Sequence, residues 1–492
     1  MDVVLFYPRP WPGETMSGRV PFSLVHLYSY LKGSGFNVKV VDERIVSDLP
    51  SLIKNLGNQI LCFGISSFTG IQIQNGLNIS SLLREAFPYV PIVWGGWHPS
   101  LMADQTLKHP LVDIVVRGQG EETFRELLVA LKDGKDLAGI KGISYKNGAH
   151  LFHNPDRELL PFLQNMEMDY GCIEVEKYVY SPPWSKKHKR ALSIVTGLGC
   201  AYDCGFCSVA SIYKRQCFNK NIDSVLNELD YFVEKGAIDS FTIEDDNFLL
   251  IPNRVQILNN FDNALLNLVK DAGCQELRIG VESGSDEVLK LINKKTTVSN
   301  TLMAIKKLSK IDISLHLSSM VCFPGIDSNE IEDTMNLLIR SRELNPRVDF
   351  RMFYYTPYPL TKLYETSLKN GMKEPKSLEE WADHTLRRFR GPWVKKFHRK
   401  LVRYFCFYYY PYSGALKRED SEGRTLIVKI LTFLFRVIFE NRALFMAARW
   451  RVKHRFYRFP VDAAFVMFGL RLKSWYGRIF YGNLDKFSQY AD

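Results

Sequence analysis

The chain has 492 residues, of which 46% are hydrophobic and 24% are charged, a balance typical of globular domains that excludes disordered, collagenous and multi-span membrane proteins. Its net charge of +11 is unevenly distributed, because residues 386–492 hold 23 Lys and Arg against 7 Asp and Glu. The basic character therefore belongs to the C-terminal region, and the rest of the chain is net acidic.

The N-terminus predicts a buried strand. It lacks a basic segment followed by a small-residue cleavage site, so we expect no signal peptide. No run of 18 or more uncharged apolar residues occurs in the chain, and we therefore expect no membrane-spanning helix.

Five apolar runs in the first 135 residues have the composition of strands, and helical patterns separate them. The predicted strands are 3–8, 38–42, 60–66, 92–96 and 114–118, and the predicted helices lie near 22–34, 50–57, 72–87, 99–108 and 121–133. Alternation at this spacing predicts a doubly wound parallel sheet, an α/β domain of Rossmann-like (flavodoxin-like) type over residues 1–140. Ligands of such sheets bind beyond the carboxyl ends of the strands.

Residues 141–190 are predicted to be a linker. They begin with a short strand that ends in an Asn147-Gly148 turn, a dipeptide typical of hairpins. A second strand–helix series starts at Ala191, with predicted strands at 191–197, 238–244, 276–282, 313–321 and 348–355. This series predicts a partial (β/α)6 barrel over 191–385, followed by a basic, aromatic, helical region over 386–492.

Three of the nine cysteines crowd together just after the first predicted barrel strand. Cys200, Cys204 and Cys207 have the spacing C-x3-C-x2-C, and glycines flank them. Three thiolates can hold a 4Fe–4S cluster while leaving one iron open for a ligand. A structural zinc site is the alternative, but it usually needs a fourth Cys or His in a paired spacing.

This segment resembles the hallmark of the radical S-adenosylmethionine (radical SAM) superfamily, with Phe206 as the aromatic residue before the last cysteine. The resemblance implies that the cluster's open iron binds S-adenosylmethionine and that one electron cleaves it to a 5′-deoxyadenosyl radical. Such an enzyme needs a one-electron reductant of flavodoxin or ferredoxin type.

Two further segments resemble the same superfamily. Glu244 begins an acidic segment similar to "DDNF", which implies a contact with cofactor or substrate, although Asp and Asn also favour helix N-caps. Glu282 and Ser283 lie in a segment similar to "G-x-E-S-G", which implies a place near the nucleoside part of S-adenosylmethionine.

The N-terminal domain carries two segments that resemble the cobalamin-binding domain of one branch of this superfamily. They are Gly95-Gly96-Trp97-His98-Pro99 and Arg117-Gly118-Gln119-Gly120-Glu121, each after a predicted strand. The resemblance implies that cobalamin is bound without a His ligand to cobalt, by residues at the strand ends. These are Ser66, Ser67, Gly95, Gly96, His98, Gly118, Gly120 and Glu121. A vestigial domain without cofactor is the alternative.

The C-terminal region is basic and aromatic. Residues 404–410 are mostly Phe and Tyr, and residues 425–440 form an apolar stretch that contains Lys429 and Arg436. Such a stretch can lie on an anionic membrane surface, or it can form a helical cap on the barrel. We expect no nucleic acid, because no binding motif accompanies the charge.

The function implied by these resemblances is cobalamin-dependent radical methylation of an unactivated carbon in a small, hydrophobic substrate. One alternative keeps both cofactors but closes a ring or oxidises without transferring methyl. Another is a membrane-associated binding or assembly protein with a non-catalytic cluster. We expect a cytoplasmic protein. If its C-terminal region lies on a membrane surface, we expect peripheral contact at the inner face of the membrane.

Overall fold

The computed structural model describes residues 2–10, 19–161, 166–182, 188–236, 238–248, 262–385, 389–411, 438 and 442–481. The chain divides into two compact units. The first comprises Met1–Pro252 and Thr356–Phe389, and the second comprises Asn253–Tyr355 and Arg390–Asp492.

The first unit contains a seven-stranded sheet. Its strands are β1 (Asp2–Tyr7), β2 (Asn37–Asp42), β3 (Ile60–Ser66), β4 (Ile92–Gly95), β5 (Ile114–Val116), β6 (Ile143–Asn147) and β7 (His150–His153). Their order is β2-β1-β3-β4-β5-β6-β7, with the first five parallel and the last two antiparallel. The predicted doubly wound α/β fold is confirmed, and its topological switch point lies between β1 and β3.

Six helices accompany these strands. They are α1 (Phe22–Leu31), α2 (Leu49–Lys54), α3 (Ile71–Ala86), α4 (Trp97–Leu101), α5 (Ala103–Lys108) and α6 (Glu121–Asp133). The single helix predicted near 99–108 is in fact two, because the backbone leaves the helical region at Met102 (φ −126°, ψ 48°). Helix α6 starts with Glu121 and Glu122, which favour the positive end of its dipole, and ends at Gly134 in the left-handed conformation.

Strands β1, β3, β4 and β5 are largely buried, as their apolar composition predicts. One cluster joins Val3 and Leu5 of β1 to Phe124 and Leu127 of α6 and to Ile143 of β6. Strand β6 therefore belongs to this sheet, although the sequence places it in a linker. The boundaries at 140 and 190 stay predictions.

The second strand–helix series begins with β8 (Ala191–Ile194), which pairs in parallel with β11 (Ser240–Ile243). Between them lie β9 (Gly197–Gly199), α7 (Val209–Tyr213), β10 (Cys217–Asn219) and α8 (Ile222–Gly236). These elements belong to the first unit.

The second unit contains a three-stranded parallel sheet of β12 (Glu276–Glu282), β13 (Ser314–Val321) and β14 (Val348–Tyr354). Its helices up to β14 are α9 (Asn263–Asp271), α10 (Asp286–Leu291), α11 (Val298–Leu308) and α12 (Asn329–Leu344). A strand thus lies in each of the five predicted places of the second series.

Helices α13 (Lys362–Lys369) and α14 (Leu378–Ala382) return to the first unit. The C-terminal region of the second unit is helical, with α15 (Lys396–Tyr404), a π-helical turn (Phe405–Tyr409), α16 (Arg442–His454) and α17 (Val461–Tyr481). In the described part of the chain, none of the helices combines the length and hydropathy that crossing a bilayer requires. Of the predicted apolar stretch 425–440, all but residue 438 lies outside the described residues.

Candidate active site

A tight loop carries the three clustered cysteines. Strand β9 ends immediately before it and pairs with β10, which follows α7. The N–H of Cys207 donates to the carbonyl of Cys204 at 3.0 Å. Gly199 has φ +85°, and a Cβ there would come within 2.2 Å of the carbonyl oxygen of Gln216. Glycine is therefore required at this position for β9 to approach β10.

The three thiols share one polar, partly buried environment. Cys200 is buried, while Cys204 and Cys207 are half-buried. Burial raises the pKa of the Cys207 thiol to about 12, and the nearby Cys204 and Cys200 raise it further. Among the described residues, no three His, Cys, Asp or Glu side chains converge on a single metal ion. The ligands of a four-iron cluster bind different irons and need not converge on one point.

A cavity of about 280 Å³, here called the cluster mouth, opens beside Cys204 and Cys207. Lys214, Arg215 and Lys362 also line it, and Lys362 forms an ion pair with Asp203.

The segment that precedes α13 holds the loop from this side. The N–H of Leu363 donates to the carbonyl of Gly205 at 2.9 Å, and Ser211 Oγ donates to the carbonyl of Leu360 at 3.1 Å. Leu360 has φ +58°, a left-handed conformation that costs energy for a residue with a side chain.

A second cavity, of about 310 Å³ and here called the strand-end cavity, lies at the carboxyl ends of β1, β3, β4 and β5. Eight residues predicted from sequence line it. They are Ser66, Ser67, Gly95, Gly96, Gly118, Gly120, Glu121 and Glu244. Leu198, Ile212, Tyr213 and Asp246, which adjoin the cysteine loop, line it as well. The cavity thus borders both the sheet and the segments that flank the cysteine loop.

Gly96 and Ser67 bring the ends of β3 and β4 together. The N–H of Ser67 donates to the carbonyl of Gly95 at 2.9 Å, and the N–H of His98 donates to the carbonyl of Ser67 at 3.2 Å. Gly96 has φ +95°, and a Cβ there would lie 2.7 Å from the Ser67 oxygen. Any larger residue would push the two strand ends apart at the cavity wall.

Glu121 is a buried carboxyl at the start of α6. It is 8% exposed, and its Oε2 atom has no hydrogen-bond partner among the described residues. Burial raises its pKa to about 7, and hydrogen bonds from backbone N–H groups, which lower the pKa, offset only part of this effect. A half-satisfied polar group in a cavity wall is a natural partner for a ligand's amide or hydroxyl group.

His98 does not line the cavity. It is fully buried, its Nδ1 atom lies 3.0 Å from Thr69 Oγ1, and its ring packs against Trp381 at 5.3 Å between centroids. Burial, and then His384, lowers its pKa to about 3. The structure places it behind the residues that line the cavity, where its ring packs against Trp381.

The acidic segment after β11 holds the cysteine loop. The Asp245 carboxylate accepts from the N–H of Thr196 at 2.7 Å and from its hydroxyl at 2.5 Å, and Asp246 accepts from the N–H of Gly199 at 2.9 Å. Glu244 lies 3.6 Å from Arg19 and faces the strand-end cavity. The segment that resembles "DDNF" therefore anchors residues 196–199, a role that sequence reasoning missed.

Two aromatic side chains of the cavity were also missed. Tyr213 and Trp97 line it, with ring centroids 6.1 Å apart. Burial removes water from the Tyr213 phenol and thereby raises its pKa far above the usual value. Tyr213 lies six residues beyond the last clustered cysteine, and no motif marks it.

The remaining predicted residues lie elsewhere. Phe206 is half-buried within the cysteine loop. Glu282 is the last residue of β12 in the second unit and pairs with Lys294 at 2.7 Å. Ser283 follows it, and its hydroxyl lies 3.3 Å from that of Thr334. Glu282 has φ +61°, a strained conformation for a residue with a side chain.

Two segments of the chain match known protein families. Residues 194–338 match the radical SAM superfamily, and residues 20–128 match the B12 binding domain. An uncharacterized methyltransferase of Pyrococcus horikoshii is 26% identical over 87% of this chain and 96% of its own. The anaerobic magnesium-protoporphyrin IX monomethyl ester cyclase of Rubrivivax gelatinosus is 25% identical over 74% of this chain and 70% of its own.

A solved structure shares the fold. The cobalamin-dependent S-adenosylmethionine radical enzyme OxsB, with aqua-cobalamin and S-adenosylmethionine bound, superposes with a TM-score of 0.67. It is 17% identical to this chain, and the match covers 97% of this chain and 75% of OxsB.

Proposed function

Because the chain belongs to the cobalamin-dependent radical S-adenosylmethionine enzymes, we propose that it methylates an unactivated carbon of a small-molecule substrate. The observation that carries this proposal is the strand-end cavity, which is lined both by the ends of the parallel strands and by residues that flank the cysteine loop. When bound, the two cofactors supply a carbon-centred radical and a transferable methyl group.

The residues of this chain would hold these groups and protect them. Cys200, Cys204 and Cys207 would ligate the cluster, and Asp245 and Asp246 would fix the backbone that presents the first of them. Gly96 would let the strand ends approach the corrin closely, and Glu121 would offer its unpartnered oxygen to a polar group of the cofactor.

The aromatic wall of the cavity has a different role. Trp97 and Tyr213 form a wall of large rings next to the cysteine loop. Since the phenol of Tyr213 keeps its proton at neutral pH, this wall carries no charge. A reactive radical is best protected in a cavity from which water is excluded.

A one-electron donor must reach the cluster from outside the protein. The cluster mouth is lined by Cys204 and Cys207, and the exposed Lys214 and Arg215 rim it. Opposite charge steers the encounter of two proteins. An acidic donor of flavodoxin or ferredoxin type would therefore dock at this mouth.

The test is anaerobic reconstitution with iron, sulfide and cobalamin, followed by turnover with S-adenosylmethionine and a reductant on candidate extracts. We expect 5′-deoxyadenosine and a product heavier by one methylene unit. Cys204→Ala should abolish cluster absorbance and 5′-deoxyadenosine but leave cobalamin bound. Cys274→Ala, a half-buried thiol of the second unit, is the matched control and should keep both. A Cys204→Ala protein with full turnover would contradict the proposal.

The similarity to a cyclase favours a second candidate function, ring closure or oxidation without methyl transfer. The Rubrivivax relative is a cyclase by name, and ring closure or oxidation uses the same cofactors without gaining a carbon. A product lighter by two hydrogens, instead of heavier by one methylene unit, would favour that function.

A further inference from the structure

Helices α16 and α17 and the loop between them expose seven large apolar side chains, here called the hairpin surface. In the loop and at the start of α17, Phe459 is 80% exposed and Val461 is 77% exposed. The other exposed members are Met446, Trp450, Phe456, Phe465 and Phe468. Contiguous apolar patches of this kind on a protein surface mark a site of interaction.

The exposed apolar residues that belong to the two helices lie on one side of each helix. Met446 and Trp450 are four residues apart on α16, and Val461, Phe465 and Phe468 follow the i, i+4, i+7 spacing on α17. Other residues of the two helices are buried, namely Ala448, Ala463, Val466 and Met467. Both helices therefore pack by one side and present a second apolar side to the outside.

Arg451 fixes the loop that carries the most exposed ring. Its guanidinium donates to the carbonyls of Phe456 at 3.0 Å, Arg458 at 2.9 Å and Phe459 at 2.9 Å. It also pairs with the Asp462 carboxylate at 2.7 Å. A loop held by one side chain through this many bonds presents Phe459 in a defined position, which lowers the entropy cost of docking.

The charge around this surface is positive. Residues 442–471 contain seven Lys and Arg and one acid, Asp462, which Arg451 already pairs. The exposed cations are Arg449, Lys453, Arg455, Arg458 and Arg471. A second copy of this chain would bring the same positive charge and be repelled, whereas an anionic partner would be attracted.

We propose that the hairpin surface docks on an anionic lipid bilayer, with Phe459 and its apolar neighbours inserted at the boundary between headgroups and acyl chains. Exposed aromatic residues surrounded by cations are the combination that interfacial binding uses. Nucleic acid would use the cations but would leave most of the apolar side chains exposed. This inference goes beyond the proposed function and needs no turnover.

The test is flotation of the full-length, anaerobically reconstituted protein with vesicles of phosphatidylcholine, alone or with about one third phosphatidylglycerol. We expect binding to the anionic vesicles alone, weakening as salt increases. Phe459→Asp/Val461→Asp and Arg455→Glu/Arg458→Glu should each weaken binding about tenfold or more. Met303→Glu, at an exposed apolar position on α11, is the control and should bind like the parent.

Three results would overturn the proposal. They are no flotation of the parent protein, equal flotation of parent and both double variants, and retention of a nucleic-acid fragment without vesicle binding. Circular dichroism of each variant checks that it is folded. Because 5′-deoxyadenosine can form without vesicles, losing that product while flotation persists would count against the proposed function and not against this surface.

Discussion

Glu121 and Glu122 are adjacent on α6, yet their environments move their pKa values in opposite directions. Burial raises the pKa of Glu121 to about 7. Hydrogen bonds from Arg125 lower the pKa of Glu122, against a smaller effect of burial. The difference follows from helix geometry, because Glu121 points to the strand-end cavity while Glu122 reaches Tyr30 and Arg125.

The raised pKa of Glu121 predicts a pH-dependent stability. The unfolded chain loses this proton near its ordinary value of 4.5, while the folded chain keeps it to about pH 7. Stability therefore falls as the pH rises through this window, by up to about 3 kcal/mol for one buried group. Glu121→Gln cannot ionise, so without cobalamin it should match the parent in thermal unfolding at pH 5 and exceed it at pH 8.

Glu122→Gln is the matched control for that experiment. It removes an ionised group that its partners stabilise, so it should lower the unfolding midpoint at pH 8 and not raise it. A Glu121→Gln protein whose advantage did not change between pH 5 and pH 8 would show that Glu121 is ionised in the fold.

At the scale of elements, the cysteine loop is held by its neighbours rather than by its own sequence. Strand β10 pairs with β9 on one side, the segment after β11 binds residues 196–199, and the start of α13 bonds to Gly205. Three segments outside the loop thus hold it in place, and two of them are distant from it in sequence. The cluster mouth borders the loop at Cys204 and Cys207.

The charges of the cluster mouth predict how electrons enter. In Lys214→Glu/Arg215→Glu, reduction of the cluster by an acidic flavodoxin should slow about tenfold or more at low salt, and the difference should shrink as salt increases. Reduction by photoreduced deazaflavin should not change, because this small donor needs no docking surface. Rapid-mixing spectroscopy of the cluster measures both rates.

The control for this variant is Lys39→Glu/Lys54→Glu, which reverses two exposed charges outside the mouth. It should keep the parent rate with flavodoxin. An equal slowing in both variants would mean that net charge, and not this surface, governs the encounter.

At the scale of the whole molecule, the chain leaves the first unit for the second and then returns. Residues 356–389 pack with Met1–Pro252, and α14 lies on α3. Trp381 is fully buried there, donates from Nε1 to Gln105 Oε1 at 2.5 Å and contacts His98 and His384 with its ring. The returning segment therefore completes the packing of the cobalamin-binding half.

Trp381→Ala is predicted to destabilise the first unit by about 3–5 kcal/mol, the cost of removing a large buried ring. Hydrogen exchange should show lost protection in α3 and β4. Trp393→Ala, which removes a hydrogen bond to the Cys322 carbonyl in the second unit, should leave those amides protected. Unchanged exchange in α3 after Trp381→Ala would contradict this account of the packing.

The sequence by itself determined the α/β class, the strand positions and the family, because these depend on local patterns. Apolar runs between helical stretches predicted β1 to β5, and the spacing of Cys200, Cys204 and Cys207 indicated a cluster. The roles of the individual site residues stay predictions. The resemblance of these segments to known motifs indicates which chemistry the residues suit, but it does not show which groups they contact.

Only the tertiary structure decided which residues meet. His98 belongs to a motif, yet its ring packs against Trp381, more than 280 residues later in the chain. In the aromatic run at 404–410, Phe405, Tyr408 and Tyr409 are buried, while exposed apolar side chains lie on α16 and α17. Burial and pairing depend on contacts between segments distant in the chain, which no local pattern encodes.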